Sequence, residues 1–444
     1  MTTGRPSTPE WAVTLPARNA YDASMSDSPQ AHDAEVSDAE MIESVRAQAD
    51  DLLDATVSLR RTLHEWPELG NDLPITRDRV LESLEGLPLS ITTHESTSGI
   101  VAMLEGSKPG PTMLLRGDMD ALPMPEDTGL EFASHVEGCM HACGHDTHTA
   151  MLSSAAHLLS ERRDDIAGRV LFMFQPGEEG HHGAKYMLDE GLLDVPAGSD
   201  GTPSPVDAAF ALHITSALPS GWVSGRGGPV MASADTMTIR VVGRGGHASE
   251  PHRALDPIPV ACEIVQALQT MVTRSIDVFD PAVVTVGRIS AGTTNNVIPE
   301  VAEIEGTIRT TSERTRAKVH DGIRRVAEGI ADAHGLDGSI EIVFGYPVTV
   351  NDDEFAEFSL DLARAVAGGD HVVRLPHPVM GAEDFSYVLQ NVPGAMMFLG
   401  GTPQGVNPAT AAPNHSNRVM FDEPAMATGI ALYAATALRH LSPA

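Results

Sequence analysis

The chain has 444 residues, a formal charge of −32, 42% hydrophobic residues and 4% aromatics. An acidic excess of this size argues against nucleic acid and anionic membrane surfaces, both of which select clustered Lys and Arg, and no apolar run is long enough to span a bilayer. Three cysteines, Cys139, Cys143 and Cys262, cannot build a disulfide framework; with no basic-then-apolar leader, they fit a reduced cytoplasm.

Residues 1–40 carry seven acids against two arginines among scattered Pro, Ser and Ala, a composition expected to stay a disordered tail. Ser37-Asp38-Ala39-Glu40 has the form of a capping box and predicts a helix through Arg61, with Ile42, Val45, Ala49, Leu52, Leu53 and Val57 at helical spacing. Pro67 stops it. Strands are expected at 100–104 and 112–115, then a helix at 150–159 whose first turn Asp146 or Thr147 could cap. Val170 to Phe174 reads as a buried strand, Ala184 to Glu190 as a short helix, and Ala208 to Leu212 as another strand. This alternation implies an α/β unit with a mostly parallel, mixed sheet and helices on both faces. Asp118, Asp120, Glu178, Glu179 and His213 all fall just past apolar strands, at the edge where such sheets bind ligands.

The glycine-rich stretch Gly221–Pro229 reads as a linker, after which the pattern changes. Strands at 236–242, 282–286, 302–309 and 339–344 and helices at 257–272 and 313–334 give the order β-α-β-β-α-β. Residues 228–347 are therefore expected to form an inserted α+β, ferredoxin-like domain. The catalytic domain occupies 41–227 and 348–444, closing with a helix at 424–441.

The densest chemistry lies in His141-Ala142-Cys143-Gly144-His145-Asp146-Thr147-His148. Thiolate, imidazole and carboxylate together suit a borderline ion such as zinc better than magnesium or calcium. Alternatively, Cys143 is a small buried hydrophobe and the histidines are loop polars. No paired Cys-x-x-Cys spacing is present, which favours an open catalytic site over a closed structural one. Glu178-Glu179 points two carboxylates apart, so one can ligate while the other takes a proton from a water that an ion has acidified; acid enrichment at a helix start is the plainer alternative. His415, in Asn414-His415-Ser416, lies in a loop, and His247 and Arg309 end strands of the inserted domain.

Taken together, these motifs resemble the M20 metallopeptidase family, in its aminoacylase, hippurate hydrolase and auxin-conjugate amidohydrolase branch. The resemblance rests on Leu63 to Gly70, Arg116-Gly117-Asp118-Met119-Asp120-Ala121-Leu122-Pro123, Met140 to Asp146, Phe174 to Gly180, Gly245-Gly246-His247-Ala248, Asn295 to Pro299 and Gly381 to Phe385. It implies Cys143, His145, Glu179, His213 and His415 as ligands of two divalent ions, with Cys143 bridging. It implies Glu178 as general base, with Asp120 as its catalytic companion. Asp118 stands where other branches place a ligating histidine, a loss that His145 could make good. His247 and Asn296 match residues near the scissile carbonyl, sometimes contributed by a partner subunit, and Arg309 is the candidate receiver of a substrate carboxylate. The loop Asn414 to Asn417 departs from the branch, which usually has Pro after His-Ser.

The expected protein is a cytoplasmic, zinc-dependent hydrolase of N-acyl amino acids (acetyl, benzoyl or related conjugates), homodimeric through its inserted domain. Manganese, cobalt or nickel would also suit the ligands. The alternatives are a dipeptidase or carboxypeptidase on the same scaffold, a non-catalytic metal- or peptide-binding protein, and a thiol enzyme using Cys143.

Overall fold

The computed structural model describes residues 29–197, 201 and 203–442. An eight-stranded mixed sheet runs, edge to edge, through Leu89–Thr93, Ile100–Glu105, Ala167–Gln175, Lys108–Asp118, Val206–Pro219, Gly394–Thr402, Val223–Gly225 and Val372–Arg374. Its centre is parallel, from Ala167–Gln175 across to Gly394–Thr402, and antiparallel pairings flank it on both sides.

Alternation along the central strands sends side chains to two cores. Met113, Leu115, Phe172, Phe174, Phe210 and Leu212 meet the long helices Pro29–Glu65, His145–Glu161, Asp353–Ala367 and Ala425–His440. Leu114, Leu171, Met173, Ala209 and Ala211 face the opposite way, toward the short helices Gly183–Asp189 and Ser386–Leu389. One face is thus thickly covered and the other thinly, which leaves room for a cleft.

Between Asp235 and Phe344 the chain builds a separate antiparallel sheet in the order Ala282–Ala291, Val301–Thr310, Asp235–Val242, Asp337–Phe344. Helices Pro257–Ser275 and Glu313–Ala333 pack on it around Ile239, Ile264, Ile304 and Ile323. This is the expected β-α-β-β-α-β order. Each helix is capped by a side chain, Asp256 accepting from the Ile258 amide and Ser312 from the Thr315 amide. The connectors entering and leaving this module, Gly228–Met231 and Thr349–Asn351, pair with each other as a two-stranded ribbon.

The structure corrects four local expectations. The first helix begins at Pro29 rather than Ser37, so residues 29–40 of the expected tail are helical and Ser37 falls inside the helix; residues 1–28 lie outside the described residues. Proline is favoured at a first helical position, and no Gly or Pro interrupts the run to Glu65. The second long helix starts at His145, and neither Asp146 nor Thr147 is its N-cap. Gly144 occupies that place at φ 88°, where a Cβ would fall 2.4 Å from the Ile214 side chain. The supposed linker Gly221–Pro229 contributes the strand Val223–Gly225 to the large sheet. His213 lies within its strand, since Val206–Pro219 continues beside Gly394–Thr402 with His213 opposite Phe398.

Candidate metal centre and active site

Parallel pairing places Asp118 level with Gln175, so the loops after these two strands emerge side by side. The first carries Asp120, whose Oδ1 and Oδ2 accept the backbone amides of Glu178 and Glu179, each at 2.9 Å. This clamp fixes the glutamate loop. Tyr346, on the connector leaving the inserted module, holds the same loop from the other side: its hydroxyl accepts the Gly180 amide at 2.7 Å and donates to the Glu178 carbonyl.

Four separate regions converge on Cys143. Its sulfur lies 3.4 Å from His213 Nε2 and 3.2 Å from His415 Nε2, and His415 Nε2 is also 3.2 Å from Glu179 Oε1. The donor atoms of Cys143, His145 and His213 all fall within 4.8 Å of one another, as do those of Cys143, Glu179 and His415. Cys143 is common to both sets. Glu178 groups in the same way with His145 and Glu179.

The imidazoles are oriented from behind, as ligating histidines are. His213 Nδ1 donates to the Ile214 carbonyl at 2.7 Å and His145 Nδ1 to the Asp120 carbonyl at 2.9 Å, so each presents Nε2 to the centre. His145 Nε2 faces Asp118 Oδ2 at 3.4 Å and Glu179 Oε1 faces His415 Nε2 at 3.2 Å, so the inward atoms of the group meet mainly one another. Thiol, imidazole and carboxylate atoms gathered this closely are the donor set that a divalent transition metal suits. His415 takes φ 67°, strained for a non-glycine residue. Its amide bonds the Ala142 carbonyl at 2.9 Å, and the Asn414 side chain spans the Cys143 and Ile214 carbonyls at 3.2 and 3.0 Å.

Burial, reinforced by Glu383, Glu179 and Asp384, pushes the Glu178 carboxyl well above the ordinary value of 4.5. Burial also pushes the Cys143 thiol up and His213 well down. Hydrogen bonds to Cys143 and then Glu179 raise His415 to about 10.

Several site residues carried no role in the sequence. His148 is one: Nδ1 meets Asp118 Oδ1 at 2.5 Å and Nε2 accepts the Ile214 amide at 2.7 Å, so both nitrogens are committed. Asp118 is further bound to the buried Arg116 at 2.6 Å. Arg116 also pairs with Glu383 at 2.7 Å and donates Nε–H to Gln175 Oε1 at 2.8 Å. The motifs Arg116-Gly117-Asp118 and Gly381 to Phe385 signalled that these residues matter, but not that one guanidinium joins them.

The centre opens into a cleft of about 780 Å³. Arg309 lines it as its one arginine or lysine, half-buried and with no carboxylate partner among the described residues. His247 and Asn296 do not reach it. They border a separate, open depression of about 490 Å³ on the inserted module, where exposed His247 bonds Ser249.

Residues 114–439 match the sequence profile of peptidase family M20/M25/M40. The chain belongs to this family. Among its relatives, thermostable carboxypeptidase 1 of Saccharolobus solfataricus is 37% identical over 90% of this chain and 99% of its own. N-acetylcysteine deacetylase of Bacillus subtilis is 39% identical over 80% of this chain and 90% of its own. A crystal structure of a dinuclear metal-binding M20 peptidase from Bacillus subtilis is 34% identical, covers 88% of this chain and 99% of its own, and superposes with a TM-score of 0.75. The protein is therefore a hydrolase built on the M20 metallopeptidase scaffold. Among the described residues, no helix is long and apolar enough to cross a membrane.

Proposed function

We propose that this protein is a metal-dependent amidohydrolase that removes the acyl group from N-acyl amino acids. The observation that carries this reading is the pair of donor sets sharing Cys143 beside Glu178, a buried carboxylate left over from both. Cys143, His145, His213, Glu179 and His415 would hold two divalent ions, zinc being the first choice and manganese, cobalt or nickel compatible with the same donors. When bound, the ions polarise the scissile carbonyl and acidify water.

The chain's own residues supply the remainder. Glu178 takes the proton of the attacking water and delivers it to the departing amide nitrogen, for which a carboxyl raised by burial is suited at both stages. Asp120, expected beside Glu178 as a catalytic group, has both oxygens committed to the loop amides and acts by positioning Glu178 and Glu179. Arg309 is placed to receive the amino acid's carboxylate with its planar fork.

His247 and Asn296 lie outside this cleft, and we assign them to the cleft of a second copy in a homodimer formed through the inserted module. Its edge strand Ala282–Ala291 supports this, since it leaves Val283 and Ile289 exposed. The net charge and the cysteine count accord with a cytoplasmic enzyme that engages neither nucleic acid nor membrane.

The carboxypeptidase from Saccharolobus solfataricus favours a second reading, in which the same centre cleaves peptides. Parallel assays of metal-loaded protein with N-acyl amino acids and with dipeptides decide between them. Release of free amino acid from the acyl compounds at the higher kcat/KM is the expected result; faster cleavage of peptides overturns it.

A further inference from the structure

The large sheet carries a row of side chains leading away from the metal centre. His213 is level with Phe398 on the next strand, Phe398 with Ser224 on the next, and Ser224 with Val373 on the edge strand. Residues in register on neighbouring strands share a face, here the thinly covered one. All four also line the cleft. The row spans three strand spacings, about 14 Å, and begins at a proposed metal ligand: the Phe398 and His213 ring centroids are 6.2 Å apart.

Its surface is shaped as well as apolar. Ser224, the smallest side chain of the four, leaves a dip between Phe398 and Val373. Leu375 and Val379 border the same cleft, and the single arginine, Arg309, enters it from the inserted module. A substrate whose carboxylate meets Arg309 and whose carbonyl meets the metal centre therefore has an apolar trough for what lies beyond the carbonyl. An acetyl group would fill only its first few ångströms.

We propose that the acyl part of the substrate is a linear, medium-length hydrocarbon chain lying along Phe398, Ser224 and Val373 toward Leu375 and Val379. This inference rests on the amidohydrolase reading given above and specifies its substrate.

The test compares kcat/KM of the metal-loaded enzyme for N-acetyl, N-butyryl, N-octanoyl and N-benzoyl derivatives of the amino acid it releases fastest. Each buried methylene contributes about fourfold, so the octanoyl compound is expected to exceed the acetyl compound by at least about tenfold even with partial burial, with butyryl between them. Two variants, S224L filling the dip and V373D charging the wall, are each expected to lower the octanoyl-to-acetyl ratio at least about fivefold. Should S224L fail to fold, exposed Val373 still provides the reading.

A ratio near one in the wild type, a benzoyl preference with no gain from octanoyl, or a ratio untouched by V373D overturns the proposal while leaving the amidohydrolase reading intact. Cleavage of dipeptides with no turnover of any acyl compound removes both.

Discussion

In the inserted module, the fully buried charge of Asp235 is answered on every side. Asp235 accepts from Arg316 at 2.8 and 2.5 Å, from the Gly345 amide at 3.0 Å, and meets His320 at 2.8 Å. Among the described residues, no buried side-chain nitrogen or oxygen between Asp235 and Phe344 lacks a partner. Around the proposed metal centre the answer is less complete: both ring nitrogens of His141 are buried without a partner, and His145 Nε2 and Glu179 Oε1 have only Asp118 Oδ2 at 3.4 Å and His415 Nε2 at 3.2 Å. Leaving such atoms unsatisfied costs about 1–3 kcal/mol each, a cost a fold bears where a ligand repays it. The first cluster stabilises a connector; the second gathers metal-ligating side chains around one sulfur.

Substitution should separate the two behaviours. E178Q removes the proton carrier and leaves the proposed ligands alone; kcat is expected to fall by about 10²–10⁴-fold, with metal content and melting temperature unchanged. A variant keeping most of its activity would break the assignment. The wild-type pH profile sharpens the same point. Burial disfavours the charged form of Glu178, so its folded pKa lies above the ordinary 4.5. The ionised base is then lost as pH falls through that raised value, placing the acid limb of kcat/KM above pH 4.5; a limb at or below it contradicts the account.

D235A addresses the answered cluster. Removing one partner of a buried, hydrogen-bonded pair costs about 3–5 kcal/mol, so denaturant unfolding should show a loss of stability far larger than any change in metal content. Asp235 is also held down to about 2 by Arg316 and His320 against the effect of burial. Its contribution is thus present above the ordinary 3.8 and lost as pH falls toward 2. Y346F is the smallest change. It deletes the hydroxyl that binds the Gly180 amide and the Glu178 carbonyl, and about a tenfold fall in kcat with little change in KM is expected. Unaltered kcat would make Tyr346 a packing residue only.

Much of this arrangement was legible because it is written in adjacent residues. Thiol, imidazole and carboxylate in Cys143-Gly144-His145-Asp146, and the doubled Glu178-Glu179, carry their chemistry wherever the chain goes, and the apolar strand before Glu178 placed the glutamate pair at a sheet edge. The β-α-β-β-α-β order was readable for the same local reason. What escaped depends on long-range pairing. The strand Gly394–Thr402 sits centrally in the sheet although it follows the inserted module, and Tyr346 reaches the Glu178 loop across 168 residues. Asp120 shows the limit most plainly: its position in the motif was visible, but not that both its oxygens would be consumed by backbone amides. The loop at His415, flagged for lacking a proline, still delivers its imidazole to Cys143 through a left-handed backbone turn held by Asn414.

The central claim is that Cys143 joins two donor sets into one dinuclear centre. Metal content by inductively coupled plasma mass spectrometry, on wild type and C143A after dialysis, measures it most directly. The account predicts two equivalents of divalent metal per chain in the wild type and a clear loss in C143A, with E178Q retaining both. A wild type holding no metal, or a C143A variant holding as much as the wild type, would contradict it.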